Sequence, residues 1–368
     1  MTAQNNINNT LGVLPKCDDS SVTTDFLAWR KFQNLLNYSK NAGSFSTKDI
    51  TSTYPLVYTS DTYFGGVLDT NGSAHWVPMG TNIGQKINAV GTVSTYSLVY
   101  SVAASYAGGV LDPSGNVHFT PRSAAVGQKV SANGIVSTYS LVYTTTDAYT
   151  GGTLDPAGNI HFSPRSAAVG QKVSTAGAAS TYSLVYTTTS AYLGAVLGPD
   201  GAVHYIPCSA VVGQKISAAG LVTTYSLVYT TSVAYSGGVL DNFGNIHFIP
   251  VSATVGQKIS AAGLVTTYSL VYTTTSAYYG GVLSPTGDIY MVPYAASVGQ
   301  KISASGLVST YSLAYTSGGS YAGGVLMGDG SIHFLGRISA TVGQKINTVC
   351  GIPFGLGVCC SSFLNKSP

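Results

Sequence analysis

The sequence contains no glutamate and little charge of either sign. Its acidic residues are 13 aspartates, its Lys and Arg residues number 16, and the formal net charge is +3. Nucleic acids and anionic membranes are recruited by strong basic fields, which this composition does not provide. We therefore expect neither as a partner. A chain this poor in charge stays soluble through its hydroxyl and backbone groups, as extracellular and virion-surface proteins commonly do.

Long apolar runs and targeting signals are missing as well. No run of 18 or more apolar residues occurs, so we expect no membrane-spanning helix. The first ten residues, MTAQNNINNT, contain neither the basic nor the apolar region of a signal peptide. We expect a virion or extracellular location without a recognisable signal peptide, reached by lysis or by a dedicated secretion system.

The five cysteines follow no metal-ligand spacing. They are Cys17, Cys208, Cys350, Cys359 and Cys360. Their odd number does not fit a complete disulfide framework, so a mostly reduced folding compartment is the simpler interpretation. We expect no metal and no cofactor.

One segment of about 43 residues recurs seven times, and it organises the chain. The Gly-Gln-Lys tripeptide ends at Lys86, Lys129, Lys172, Lys215, Lys258, Lys301 and Lys345. The tyrosine of (S/T)TY(S/P)L recurs at Tyr54, Tyr96, Tyr139, Tyr182, Tyr225, Tyr268 and Tyr311. The glycine that opens G(G/A)(V/T)L recurs at Gly65, Gly108, Gly151, Gly194, Gly237, Gly280 and Gly323. A repeat of this length is typical of a propeller blade.

Each repeat contains four short strand patterns. TYSLVYT alternates with period two, GGVL and the segment Ile289–Val292 are short and β-rich, and VGQKIS supplies the fourth. The turns after GGVL, such as DPSG and DPAG, end in glycine, as type I turns prefer. The sequence therefore predicts an all-β, seven-bladed β-propeller of four-stranded blades over residues 51–347.

The repeat wording GGVL…G(D/N)IHFVP…GQKIS resembles propeller repeats encoded by large DNA viruses of microalgae and by tailed phages. The GGVL–turn–IHF portion is also similar to the innermost hairpin of propellers whose repeats read GVAVSPDG…VYV. This resemblance implies that GGVL is the innermost strand and TYSLVY the outermost. The chain would then enter on an outer strand, and we expect Tyr54–Thr59 to complete the last sheet, made by residues 321–347. That closure removes an open sheet edge.

The two ends of the chain lie outside the repeat. Residues 1–50 hold an extended arm and then TTDFLAWRKFQNLLNYS, which predicts one amphipathic helix. Its apolar face consists of Phe26, Trp29, Phe32, Leu35 and Leu36. We expect this face to dock either on the propeller or on other virion or assembly proteins. The tail, residues 348–368, could compete for the edge of the last sheet or lie beside the helix on one face of the disc. We expect the second, because Tyr54–Thr59 matches the outer-strand pattern and the tail does not.

All six histidines fall at one repeat position. They are His75, His118, His161, His204, His247 and His333, and Tyr290 takes the place in the remaining repeat. Equivalent positions on adjacent blades are about 10 Å apart, whereas metal ligands lie about 2 Å from one ion. A shared metal site is therefore excluded. The histidines are expected to cap turns or pack between blades, with a ligand-binding ring as the alternative.

The seven Gly-Gln-Lys lysines form a second candidate ring. Each lysine is expected either to stack on a tyrosine or to bond backbone carbonyls. The alternative is a basic ring that meets a sulfated or carboxylated glycan. The aspartates Asp69, Asp112, Asp155 and Asp241 are explained as turn residues.

Three functional hypotheses follow. The favoured one is a non-enzymatic structural or attachment protein, virion-associated, which displays a rigid disc for protein or host-surface interaction. The alternative is a multivalent carbohydrate-binding lectin with sites between the blades. An enzyme is ranked behind both, and no catalytic residue is assigned, because one active site is asymmetric and this ring is nearly symmetric. GGVL is not followed by a helix, so it is no phosphate loop.

Overall fold

The computed structural model describes residues 49–59, 63–337 and 340–348, which form 28 β-strands. No helix occurs in these ranges, and so none of them could cross a membrane as a helix. The predicted docking helix and both tails lie outside the described residues, and their roles stay predictions.

The strands form seven antiparallel sheets of four strands each, which are the blades. The innermost strands are β2 (Tyr63–Leu68), β6 (Tyr106–Leu111), β10 (Tyr149–Leu154), β14 (Tyr192–Leu197), β18 (Tyr235–Leu240), β22 (Tyr278–Leu283) and β26 (Tyr321–Leu326). The second strands are β3 (Ala74–Pro78), β7 (Val117–Pro121), β11 (Ile160–Pro164), β15 (Val203–Pro207), β19 (Ile246–Pro250), β23 (Ile289–Pro293) and β27 (Ser331–Gly336).

The third strands are β4 (Ile83–Ile87), β8 (Val126–Val130), β12 (Val169–Val173), β16 (Val212–Ile216), β20 (Val255–Ile259), β24 (Gly299–Ile302) and β28 (Val342–Asn347). The outermost strands are β1 (Thr51–Pro55), β5 (Val93–Ser97), β9 (Val136–Ser140), β13 (Ala179–Ser183), β17 (Val222–Ser226), β21 (Val265–Ser269) and β25 (Val308–Tyr311). Blades 1 to 7 are numbered by their innermost strands. The seven-bladed, four-stranded architecture predicted from the repeat is confirmed.

The ring closes where the two ends of the repeat region meet in blade 7. β1 pairs antiparallel with β28, with Thr51 opposite Ile346 and Tyr54 opposite Gly343. The expected closure is therefore present, but the predicted bounds Tyr54–Thr59 were wrong. The strand ends at Pro55 because the following N–H groups of Val57 and Tyr58 donate to the Gln85 side chain of blade 1, at 3.2 and 2.8 Å.

The core lies between blades and not inside any one of them. In one cluster, Val67 and Val77 of blade 1 pack against Tyr106 and Phe119 of blade 2, and all four are buried. The other blades form equivalent clusters in the same way. Because each blade buries its apolar faces only against its neighbours, the closed ring is the stable unit.

Glycine is required where the innermost strands approach one another around the central channel. Gly108 has a φ of 79°, and a Cβ there would lie 2.7 Å from the Cα of Gly151 in the next blade. No side chain fits that gap, and positive φ is strained for other residues. The first glycine of GGVL therefore sets how closely the blades meet at the channel.

The disc has two different faces. The turn face carries the tight turns after the innermost and third strands, such as residues 69–72 and 88–91. The loop face carries the longer connections, such as residues 98–105 and 122–125. On the loop face, the N–H of Ala148 in blade 3 donates to the carbonyl of Arg122 in blade 2 at 2.7 Å, and the same bond recurs from Ala191 to Arg165. These bonds fasten neighbouring blades together.

Candidate functional site

Four blades carry a hydrogen-bonded chain of Asp, His and Tyr, which we call the relay. In blade 1 the Nε2 atom of His75 lies 3.2 Å from Asp69 Oδ2, and its Nδ1 atom lies 3.0 Å from the Tyr96 hydroxyl. The same relay occurs as Asp112–His118–Tyr139 in blade 2, Asp155–His161–Tyr182 in blade 3 and Asp241–His247–Tyr268 in blade 5.

Strand register brings the relay and the lysine onto one face of the blade. His75 is opposite Val67 on one side and Lys86 on the other, and Lys86 is opposite Ser94. The ring of Tyr96 lies across Gly84, where a Cβ would come within 2.2 Å of the ring. Glycine at this position therefore lets the tyrosine reach over the third strand to the histidine.

The relay is a buried structural device. Its histidines are 2–4% exposed. The Asp69 carboxylate also accepts the N–H groups of Asn71 and Ser73, so it holds the turn to the blade. Burial alone would raise the pKa of Asp69, but the bonds from His75 and these N–H groups lower it below its ordinary value. In these four blades the structure thus places the predicted histidines beneath the surface, as turn caps, whereas His204 lies 3.5 Å from Asp200 and His333 contacts Ser331.

The lysines, by contrast, reach the surface, and they differ in whether they are paired. In blade 4 the Lys215 Nζ atom lies 2.8 Å from Asp200 Oδ2. In blade 6 the Lys301 Nζ atom lies 2.5 Å from Asp49 Oδ2 and 5.4 Å from the centroid of the Tyr290 ring. Within residues 49–59, 63–337 and 340–348 no ion pair or cation–π contact is made by Lys86, Lys129, Lys172, Lys258 or Lys345.

Two pockets open on the turn face, each between two adjacent blades. Between blades 5 and 6 a cavity of about 350 Å³ is lined by Asp241, His247 and Lys258 on one side and by Ser303 and Ser305 on the other. The matching cavity between blades 4 and 5 is only about 80 Å³. Its wall includes the aspartate that pairs with the blade 4 lysine.

Blade 6 shows a carboxylate bound at this position. The Tyr290 hydroxyl donates to Asp49 Oδ1 at 2.6 Å, while Lys301 bonds the other oxygen. Asp49 comes from the entry segment, and its backbone N–H donates to Asn347 of blade 7 at 2.8 Å. Sequence reasoning missed Asp49 because it precedes the first repeat and no motif marks it. No group of three or more metal-ligating side chains was found among the described residues.

These features define a seven-bladed β-propeller with polar pockets between its blades. Solved structures with the same fold include streptogramin B lyase (TM-score 0.73, 17% identity, 83% of this chain and 100% of that one). A catalytically inactive variant of virginiamycin B lyase from Staphylococcus aureus is similar, with a TM-score of 0.72 and 17% identity over 82% of this chain and 99% of that one. Hydrazine synthase from Kuenenia stuttgartiensis has a TM-score of 0.59 and 12% identity over 80% of this chain and 98% of that one. No family model and no curated protein matches the sequence.

The expectation that the chain is not an enzyme was wrong. Virginiamycin B lyase and streptogramin B lyase are enzymes, and their structures share this fold. The propeller fold is therefore no argument against catalysis. At 17% identity the likeness shows the fold alone, and no comparison bears on a viral origin.

Proposed function

We propose that the propeller binds acidic glycans in the pockets between its blades, as a multivalent lectin. The relay blades 1, 2, 3 and 5 supply the sites, through Lys86, Lys129, Lys172 and Lys258. The observation that carries the proposal is the Asp49 carboxylate, which lies against Lys301 and Tyr290 in blade 6. It serves as an internal stand-in for the carboxylate of a ligand such as a uronic acid.

The relay leaves its lysine available for such a ligand. In blade 5 both carboxylate oxygens of Asp241 are already occupied, by His247 and by the side chain and N–H of Asn245. Lys258 therefore has no carboxylate partner within its own blade. In blade 6 Lys301 donates to the Asp49 carboxylate even though Asp288 lies only 3.7 Å from the Lys301 Nζ atom, so a second acidic group does not prevent carboxylate binding.

The rest of the pocket suits a hydroxylated ring. Ser303 and Ser305 of blade 6 face Lys258 across the cavity, and hydroxyl groups both donate and accept hydrogen bonds. Phe243 is 68% exposed at the rim, where a sugar ring can stack on it. A single exposed ion pair contributes only about 0–1 kcal/mol, so strong binding requires several pockets to be engaged at once.

The test compares surfaces coated with glucuronic acid and with glucose. We expect the protein to be retained on glucuronic acid only. Replacing all four relay lysines (Lys86→Met, Lys129→Met, Lys172→Met, Lys258→Met) should weaken retention at least tenfold. Lys215→Met is the matched control, because this lysine is already paired with Asp200. Equal retention on both surfaces, or an unaffected quadruple variant, would refute the proposal.

A gain-of-function variant tests the same site from the other direction. Asp200→Asn removes the internal carboxylate and keeps an oxygen for the N–H of Ala202, which Asp200 now accepts at 3.1 Å. Lys215 then becomes available, and blade 4 should act as an additional pocket. Stronger retention on glucuronic acid is expected, and it should disappear when Lys215→Met is added.

A further inference from the structure

The loop-face opening of the central channel breaks the sevenfold symmetry. At the second position of the innermost strand, blades 1 to 7 carry Phe, Ala, Thr, Leu, Ser, Tyr and Ala in turn. At the position after the second strand they carry Met, Arg, Arg, Cys, Val, Tyr and Arg. By contrast, the first glycine of GGVL and the Gly-Gln-Lys tripeptide are the same in all seven blades. We call the residues at these two positions the channel mouth, and it is one asymmetric site in each chain.

Aromatic rings converge over this mouth from different blades. Tyr279 of blade 6 contacts Phe64 of blade 1 edge-on, with ring centroids 5.9 Å apart, although blade 7 lies between them. Tyr279 also packs on Tyr294 at 4.6 Å. The guanidinium of Arg337 lies 5.2 Å from the Phe64 ring and donates to the Tyr294 hydroxyl. Side chains at the first of these positions therefore reach across the channel.

A cluster of basic groups lies in blades 2 and 3. Arg122 and Arg165 share one carboxylate oxygen, Asp147 Oδ1, at 2.5 and 3.3 Å. Burial opposes ionisation of Asp147, but Arg122 and Arg165 together lower its pKa below the ordinary value. One carboxylate cannot neutralise two guanidinium groups, so a positive charge remains there.

Several buried polar atoms at the mouth have no hydrogen-bond partner within the described residues. They are the Nε atoms of Arg165 and Arg337 and the hydroxyl oxygen of Thr150. Tyr149 is paired with Pro164 in the antiparallel register, so Thr150 and Arg165 lie on either side of this pair, on neighbouring strands at the loop-face end of blade 3. Buried polar atoms in folded proteins are nearly always hydrogen-bonded, so two donors without acceptors on neighbouring strands of one blade point to a missing ligand.

We propose that the channel mouth binds one small aromatic carboxylate, held by Arg165 and Thr150 of blade 3 with its ring packed against Tyr279. The carboxylate accepts hydrogen bonds from the Arg165 Nε atom and the Thr150 hydroxyl. The aromatic part lies with the rings that cover the channel. This site is on the loop face, and it is independent of the glycan pockets on the turn face.

Benzoate is the probe, with benzyl alcohol and acetate as matched controls that lack the charge or the ring. Calorimetry or ligand-observed NMR should find one benzoate per chain and at least tenfold weaker binding of both controls. Arg165→Met should weaken benzoate binding at least tenfold, and Thr150→Val should weaken it several-fold. Arg165→Lys retains the charge but loses Nε–H, so it should recover only part of the affinity.

The opposite results overturn the proposal. These are no saturable benzoate binding up to about 10 mM, several benzoates per chain, equal binding of benzyl alcohol, or unchanged affinity in both Arg165→Met and Thr150→Val. Urea unfolding of each variant checks that it is folded, and Thr150→Val provides the test if Arg165→Met is not. The quadruple lysine variant should bind benzoate like the unmodified protein, which separates this site from the glycan pockets.

Discussion

Acidification should destabilise the propeller through His333 in blade 7. This histidine is buried and lacks the relay aspartate: its Nε2 atom lies 3.2 Å from the Ser331 hydroxyl, and its Nδ1 atom has no partner among the described residues. Burial lowers the pKa of His333 from 6.5 to about 4, and Asp329 opposes this while Lys345 adds to it.

The sign and the size of the effect follow from this pKa. The folded state favours the neutral imidazole, whereas the unfolded chain protonates near pH 6.5. The unfolded state therefore binds more protons below that pH, and stability falls as the pH drops from 6.5 towards 4. One pKa unit corresponds to 1.36 kcal/mol, so lowering the pH from 7 to 5 should cost about 2 kcal/mol at this residue.

The assay is urea unfolding at pH 7 and at pH 5, for the unmodified protein and for His333→Tyr. Tyrosine is a suitable replacement because blade 6 already carries Tyr290 at this repeat position. The variant should lose about 2 kcal/mol less between the two pH values, since the other titrating groups are common to both proteins. Equal losses in the two proteins would refute the assignment to His333.

Three further outcomes are expected. Gly127→Ala places a methyl carbon 2.2 Å from the Tyr139 ring, so urea unfolding should show a loss of about 1–3 kcal/mol; Gly80→Ala, with open space around it, should show almost none. Gln128→Leu leaves two backbone N–H groups without their acceptor and should cost on the order of 2 kcal/mol by the same assay. Removing residues 51–59 should raise hydrogen exchange most in blade 7, and uniform protection in that truncation would contradict closure by β1.

The symmetric part of the molecule could be predicted because each repeated residue has a local physical cause. Glycine opens GGVL where blades touch at Gly108, and glycine precedes Gln-Lys where Tyr139 covers Gly127. Seven occurrences of the same constraint make the period visible without any knowledge of contacts. Blade number and strand number followed from that period, and closure in blade 7 followed from it together with the strand order that the resemblance to other propellers implied.

The bounds of the outer strands could not be predicted from the repeat alone. The segment Leu98–Tyr100 continues the period-two pattern of the preceding strand, so it reads as strand. In the structure the N–H groups of Val99 and Tyr100 donate to the Gln128 side chain of the next blade, at 3.0 and 2.8 Å. Gln128 lies 28 residues after Tyr100 in the sequence, and the local pattern around Leu98–Tyr100 does not predict this contact.

The site residues divide in the same way. His75 and Lys86 were predicted as members of rings, because they recur. Asp49 was missed because it precedes the first repeat, and Arg165 was missed because arginine occupies its position in only three of the seven blades; the importance of both depends on what the closed ring brings near them. Residues that depart from the repeat are therefore candidates for a functional site, but the sequence does not show which of these residues lie close together in the folded ring.

Closure itself is reinforced by one such departure from the repeat. All seven third strands have similar sequences, but six of them pair with the outermost strand of their own repeat, so β28 is the third strand that remains for β1. The Asp49 carboxylate at the start of β1 finds both Lys301 and the Tyr290 hydroxyl in blade 6, next to β28. The six other blades carry histidine at that position, and in the four relay blades its Nε2 atom is already bonded to the turn aspartate. Tyr290 in blade 6 therefore offers the entry segment a hydrogen bond that the histidines of the relay blades do not offer. The Asp49 carboxylate bound there helps to position β1 beside β28.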